Sequence, residues 1–299
     1  LRTLVQFVAA ELDRSVLPEI VQAAHTIAER LGGGAVLFYG SVLRTADLSG
    51  VLDFYVLQPP GKPAGFLSRH IWPDVSYHEV QIGRSVIRAK VAAMQIDTFE
   101  RAARGMSLDT TIWARFVQPA ALIWAESPAL RRRIQNAVAD AARTAGWFAA
   151  LHGAVPASPG AYWRGLFRAT YTTELRVEAP GREGQILSYD PARYDELLPL
   201  AWEAGGIAYE QRGDTLLPKP SEMQLRTIAA AWMQCAQAGK WLNLIRLVKA
   251  AFTFDGATRY ALWKIERHTG LNISVTPFRE RHPIIAAPGV LWRLWQHSH

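Results

Sequence analysis

The chain has 299 residues, 49% of them hydrophobic and 20% charged, which excludes a disordered or low-complexity protein. Its net charge of +7 arises from 33 Lys and Arg against 26 Asp and Glu, and only six of the basic residues are Lys. The one cysteine excludes an intramolecular disulfide framework or a cysteine metal cluster, and no apolar run reaches the roughly 18 residues of a membrane span. The Arg excess and the 11 Trp predict an anionic partner, whether nucleotide, nucleic acid or anionic lipid surface.

In chain order, residues 3–31 read as helical with a break near Ser15, and Pro18 suits the first turn of the second piece. Gly32, Gly33 and Gly34 end it. Ala35 to Tyr39 is a short apolar strand, followed by Gly40-Ser41, and Val51 to Leu57 is a second strand interrupted only by Asp53. A short helix is predicted over 65–72 and a strand over Ser85 to Ile96, with Asp97 at its end. Helices follow over 98–104 and 107–116, then an apolar stretch at 120–124 and a long helix over 127–150.

Composition changes around Pro156, Ser158, Pro159 and Gly160, which predicts a domain boundary there. Helices are expected over 160–170, 191–203, 220–239, 241–252 and 257–269, with a short terminal helix over Val290 to Gln296. The expected organisation is α+β, with a mixed-sheet domain over 1–155, a mostly helical domain over 156–287 and an amphipathic tail over 288–299.

The segment that carries chemistry is Tyr39-Gly40-Ser41 followed by Asp53-Phe54-Tyr55. Glycine lets backbone approach a phosphate closely, and a serine hydroxyl at the start of the following helix can hold one. A carboxylate in an apolar strand is expensive to bury unless it is paired or binds a metal. Mg²⁺ on a triphosphate typically takes one or two protein carboxylates.

This segment resembles the signature of the DNA polymerase β-like nucleotidyltransferase superfamily: Gly-Ser, a spacer of about a dozen residues, then Asp-x-Asp. Gly40, Ser41 and Asp53 match, and Tyr55 stands where the second Asp is usual. The wider pattern resembles one branch, the mitochondrial translocator-assembly-and-maintenance type of phosphatidate cytidylyltransferase, which shares the missing second Asp. Val42 replaces a third glycine of that branch. His70-Ile71-Trp72 with Tyr77-His78 is similar in content, as are Ala114 to Pro119 and Tyr171 to Arg176.

The resemblance implies transfer of CMP from CTP to phosphatidic acid with Mg²⁺ as cofactor, giving CDP-diacylglycerol and pyrophosphate. It implies a nucleotidyltransferase domain followed by a winged-helix-like domain, peripheral on a membrane. That membrane is expected to be the cytoplasmic face of a bacterial inner membrane, or alternatively the matrix side of the mitochondrial inner membrane. Asp53 is the expected metal ligand and catalytic residue with Ser41, and Asp97 the candidate for a second metal contact. Tyr39, Gly40 and Ser41 are expected at the nucleotide, with Arg88, Lys90 and Arg115 pairing phosphates.

Lys264, Arg267 and His268 share one helix face. They read either as cations completing a helix end before Gly270 or as a site for the lipid phosphate. Trp292 and Trp295, with flanking Leu and one Arg, suit an interfacial helix, or a tail docked on the protein's own core. Two alternatives compete with the lipid enzyme. One is a nucleotidyltransferase with another acceptor. The other is a degenerate, non-catalytic fold that binds nucleotide or nucleic acid. Nucleic acid is not the expected partner.

Overall fold

The computed structural model of the chain describes residues 2–45, 47, 50–60, 71–151, 155–174, 181–271, 273–281, 289 and 292, with backbone alone at Ala251, Phe252, His268 and Arg281. Helix α1 (Leu4–Leu12) begins in a capping box, with Thr3 Oγ1 accepting from Gln6 N and the Gln6 side chain accepting from Thr3 N. Helix α2 (Pro18–Leu31) has Pro18 in its first turn and stops at the left-handed Gly32.

The sheet contains β1 (Ala35–Tyr39), β2 (Leu52–Gln58), β3 (Asp74–Ile82), β4 (Ser85–Gln95) and β5 (Ala120–Ala125), in the spatial order β3-β4-β2-β1-β5. Only β2 and β4 are parallel, so the sheet is mixed. Alternation along the strands sends Val36, Phe38, Phe54 and Val56 to one face, where α2 packs with Ile20, Ala24 and Ile27. Leu37, Tyr55, Leu57 and Met94 face the other side, under α1, α4 (Ile96–Ala103), α5 (Thr111–Phe116) and α6 (Pro128–Leu151).

The rest of the chain comprises α7 (Pro159–Thr173), α8 (Arg182–Ser188), α9 (Pro191–Ala204), a hairpin of β6 (Ala208–Arg212) and β7 (Thr215–Lys219), α10 (Glu222–Thr253), α11 (Ala257–Thr269) and α12 (Pro277–Arg281). The composition change near residue 156 is not a break in the core. One buried cluster runs from Leu4 through Tyr162, Trp163 and Trp202 to Ile228, and Ala157 exchanges backbone hydrogen bonds with Leu216. Trp202 donates to Gly146 O at 2.9 Å and Trp163 to Tyr194 O at 3.0 Å, so these indoles satisfy their N–H inside the core.

Two expectations change. Strand β3, the β6–β7 hairpin and the short helices α8 and α12 form where none was predicted. The separate helices expected over 220–239 and 241–252 are one helix: Gly239 does not end it but lets it touch α7, since a Cβ there would lie 2.7 Å from Thr173 O. Among the described residues, no helix is long and apolar enough to cross a membrane.

Candidate functional site

Strand β1 ends at Tyr39, and Gly40 turns the chain at φ +92° into the short helix α3 (Ser41–Thr45). Across β1–β2, Tyr39 is in register with Asp53, and across β2–β4 the partner of Asp53 is Lys90. Gly40 is required twice. The positive φ disfavours any side chain, and a Cβ would lie 2.4 Å from Asp53 Oδ2. The Gly40-Ser41 turn and the Asp53 carboxylate therefore lie side by side.

Ser41 and Asp53 are shared by two cavities. The first, of about 190 Å³, is lined further by Tyr39, Arg44, Arg115, Tyr171 and Arg182. The second, of about 520 Å³, is lined further by Thr45, Asp47, Lys90, Trp263, Lys264 and Arg267. Asp53 thus stands between two hollows in which cations outnumber acids.

Burial pushes the Asp53 carboxyl above the usual carboxylate range, and Lys90, Arg115 and Arg44 pull it back part of the way. Burial also holds the Tyr39 phenol well above its ordinary value, so Tyr39 stays neutral. The Arg115 guanidinium lies 4.8 Å from the Tyr39 ring centre and 5.9 Å from that of Tyr55, and its Nε is buried without a hydrogen-bond partner. Burial, then repulsion from Arg182, lowers the Arg44 pKa.

Tyr55, in the place of a second Asp, is only 2% exposed. Its ring packs 5.5 Å from Tyr39 and 5.2 Å from Phe116. It forms an aromatic wall and leaves Asp53 as the single carboxylate on that strand face.

Helix α11 brings Lys264 and Arg267 to the site because α10 is anchored beneath it. Arg246 binds both oxygens of Asp109 at 2.9 and 3.0 Å and lies 4.8 Å from the Trp72 ring centre. Lys249 bonds to Ile71 O and Asp74, so it tethers α10 to the start of β3. Tyr77 N donates to Asp255 O at 2.8 Å, and the Tyr77 and Tyr260 rings meet at 5.5 Å.

Other predicted residues are not brought to Asp53. Asp97 pairs with Arg133 at 2.9 Å on α4. Two residues before it, Gln95 is level with Gln58, five residues or roughly 16 Å along β2 from Asp53. Asp97 is therefore not a second metal contact. Arg88 faces Glu79 and lines a different cavity, beside Trp263 and Glu266. His78 bonds to Ser76 Oγ and lines a third hollow with Arg30 and Asp255. Trp292 is exposed. His70, Trp295 and the His268 side chain lie outside the described residues.

Sequence reasoning missed Arg44 and Arg182. Arg44 is three residues past Ser41 on the same short helix, a spacing that could have pointed to it. Arg182 arrives from α8, and nothing local in the sequence links it to Ser41.

Among the described residues no three His, Cys, Asp or Glu side chains gather as a metal cluster. The arrangement can hold polyanions on both sides of one carboxylate. No protein-family model and no curated protein matches the chain.

Proposed function

We propose that the chain is a nucleotidyltransferase of the polymerase β-like type that transfers CMP from CTP to phosphatidic acid, releasing pyrophosphate. The observation that carries this reading is the placing of Asp53 and Ser41 between two cationic cavities. A reaction between two phosphates asks for such a partition, with the donor held by Gly40, Ser41 and Arg115 and the acceptor by Lys90, Lys264 and Arg267. The acceptor oxygen of a phosphate monoester is already anionic near neutral pH, so no strong base is needed. Lys90 beside Asp53 suits an anionic nucleophile and does not suit deprotonation of a hydroxyl.

The donor set fits one Mg²⁺ shared with phosphate oxygens, with Asp53 as its protein carboxylate. It does not fit a pair of ions held by protein, because Tyr55 is packed in the core and Lys90 stands opposite. Bound Mg²⁺ would supply charge neutralisation at the phosphates. The chain's own cations position the two substrates in line and stabilise developing charge.

The five-stranded mixed sheet with a Gly-Ser turn suits the nucleotidyltransferase fold, and the β6–β7 hairpin between α9 and α10 suits a winged-helix-like unit. A peripheral site on an anionic membrane, the bacterial inner membrane by this reading, is supported by exposed Trp241, Leu244, Leu247 and Val248 on α10 and by Trp292. A second reading, a fold that binds nucleotide without transfer, is favoured by Tyr55 at the second Asp position. The deciding assay supplies CTP, Mg²⁺ and phosphatidate vesicles and measures pyrophosphate. Release that requires both substrates supports the transferase, and CTP binding without release supports the second reading.

A further inference from the structure

Other well-buried arginines have an acid within reach: Arg193 binds Glu11 and Arg246 binds Asp109. The 190 Å³ cavity breaks this rule. It gathers Arg44, Arg115 and Arg182 against the single carboxylate of Asp53. Arg44 makes no hydrogen bond or ion pair among the described residues, and the neutral Gln185 Oε1 at 3.3 Å is what Arg182 donates to. Arg115 Nε is buried and unpartnered. A buried donor without a partner is destabilising, and Arg182 repels Arg44. The arrangement is complete only with an anion of more than one charge between them.

We infer that Arg44 and Arg182 form a clamp for a pyrophosphate group, either the terminal two phosphates of a nucleoside triphosphate or free inorganic pyrophosphate. Three planar guanidinium groups and the Ser41 hydroxyl match several phosphate oxygens at once, which a single phosphate would not fill. The clamp's part in turnover, holding the leaving pyrophosphate and making it a product inhibitor, rests on the transferase reading. The binding itself does not. Helix α8 contributes Arg182 and helix α3 contributes Arg44, so the clamp joins the helical half of the chain to the sheet.

The test is calorimetric titration of the full chain with inorganic pyrophosphate, without metal. Arg44→Gln and Arg182→Gln should each weaken binding at least tenfold, while Lys264→Gln in the other cavity changes it less than twofold. Both clamp variants should melt no lower than wild type without ligand, because each removes a like-charge repulsion, and both should lose the upward shift that pyrophosphate gives wild type. Arg182→Lys, which keeps charge but not the planar fork, should bind at an intermediate level. Wild-type affinity in the double Arg44→Gln, Arg182→Gln variant overturns the inference, as does an equal loss in Lys264→Gln. Clamp-dependent binding in a chain that releases no pyrophosphate from CTP and phosphatidate retains the clamp and removes the transferase. Turnover with pyrophosphate affinity indifferent to both arginines does the reverse.

Discussion

Gly40 and Asp53 touch across the β1–β2 pair so closely that a Cβ at position 40 would sit 2.4 Å from Asp53 Oδ2. The carboxylate is thereby held against the Gly40-Ser41 turn, and the turn has no room for a side chain at position 40. Gly40→Ala must both adopt a positive φ and displace Asp53. It should lose about 1–2 kcal/mol of stability, measured by denaturant unfolding. CTP binding should fall at least tenfold. An alanine variant with wild-type CTP affinity would remove Asp53 from the nucleotide site.

The raised pKa of Asp53 sets a pH dependence with a definite sign. The folded protein holds this proton more tightly than the unfolded chain does. The contribution of Asp53 to stability is therefore complete below the ordinary carboxylate pKa and is lost as pH rises through the folded value. Asp53→Asn cannot ionise, so the wild type should lose stability relative to this variant across that window and the difference should then level off. On the transferase reading activity runs the other way, because Mg²⁺ would bind the ionised form. Wild-type turnover should fall on acidification at a pH above the ordinary Asp range, and Asp53→Asn should lose at least 1000-fold, about 4 kcal/mol of transition-state stabilisation. Melting curves and rates from pH 4 to 8 check both halves.

Asp109 acts on the site from a distance. It is buried and binds Arg246 through both oxygens, which fixes α10 and so the start of α11. Asp109→Ala leaves a partly buried guanidinium without its acid and should lose about 3 kcal/mol of stability. Lys264 and Arg267 should then be less well placed, so KM for the acceptor rises more than KM for CTP. Equal changes in the two KM values would assign Asp109 to stability alone.

The turn at Gly40-Ser41 and the acid at Asp53 were legible because each is a local exception: glycine after an apolar strand, and a charge inside one. Asp97 looked equivalent only while the strand direction was unknown. Strand β4 runs parallel to β2, so its C-terminal end lies far from Asp53, which is near the start of β2. Strand β3 was hard to see because the alternation of Val75-Ser76-Tyr77-His78 changes phase at Glu79 before resuming in Val80-Gln81-Ile82. It forms by pairing with β4 through a tight turn that Gly83 makes at φ +58°. Gly239 resembles a helix stop but serves close packing on Thr173. The Trp count, read as an interfacial signal, is partly a core property, since Trp113, Trp163 and Trp202 are fully buried.

Among the described residues, Trp241 and Trp292 are exposed and still carry a membrane prediction. Helix α10 buries Ile228 and Cys235 on one side and exposes Trp241, Leu244 and Val248 on the other, with Trp241 68% exposed. Large apolar side chains grouped on an exposed face call for a cover, and an anionic lipid surface would supply one while the net charge of +7 adds attraction. Replacing Trp241, Leu244 and Val248 with Ser should weaken sedimentation with phosphatidate-containing vesicles about tenfold without changing CTP affinity, since apolar burial contributes roughly 25 cal/mol per Å². Raising salt should weaken the wild type further, because the charge term is screened and the apolar term is not. Deleting residues 288–299 tests the tail in the same assay. If the triple variant and the deletion both bind vesicles as wild type does, access to a lipid acceptor through this surface is ruled out, and the acceptor reading must move to a soluble phosphate monoester.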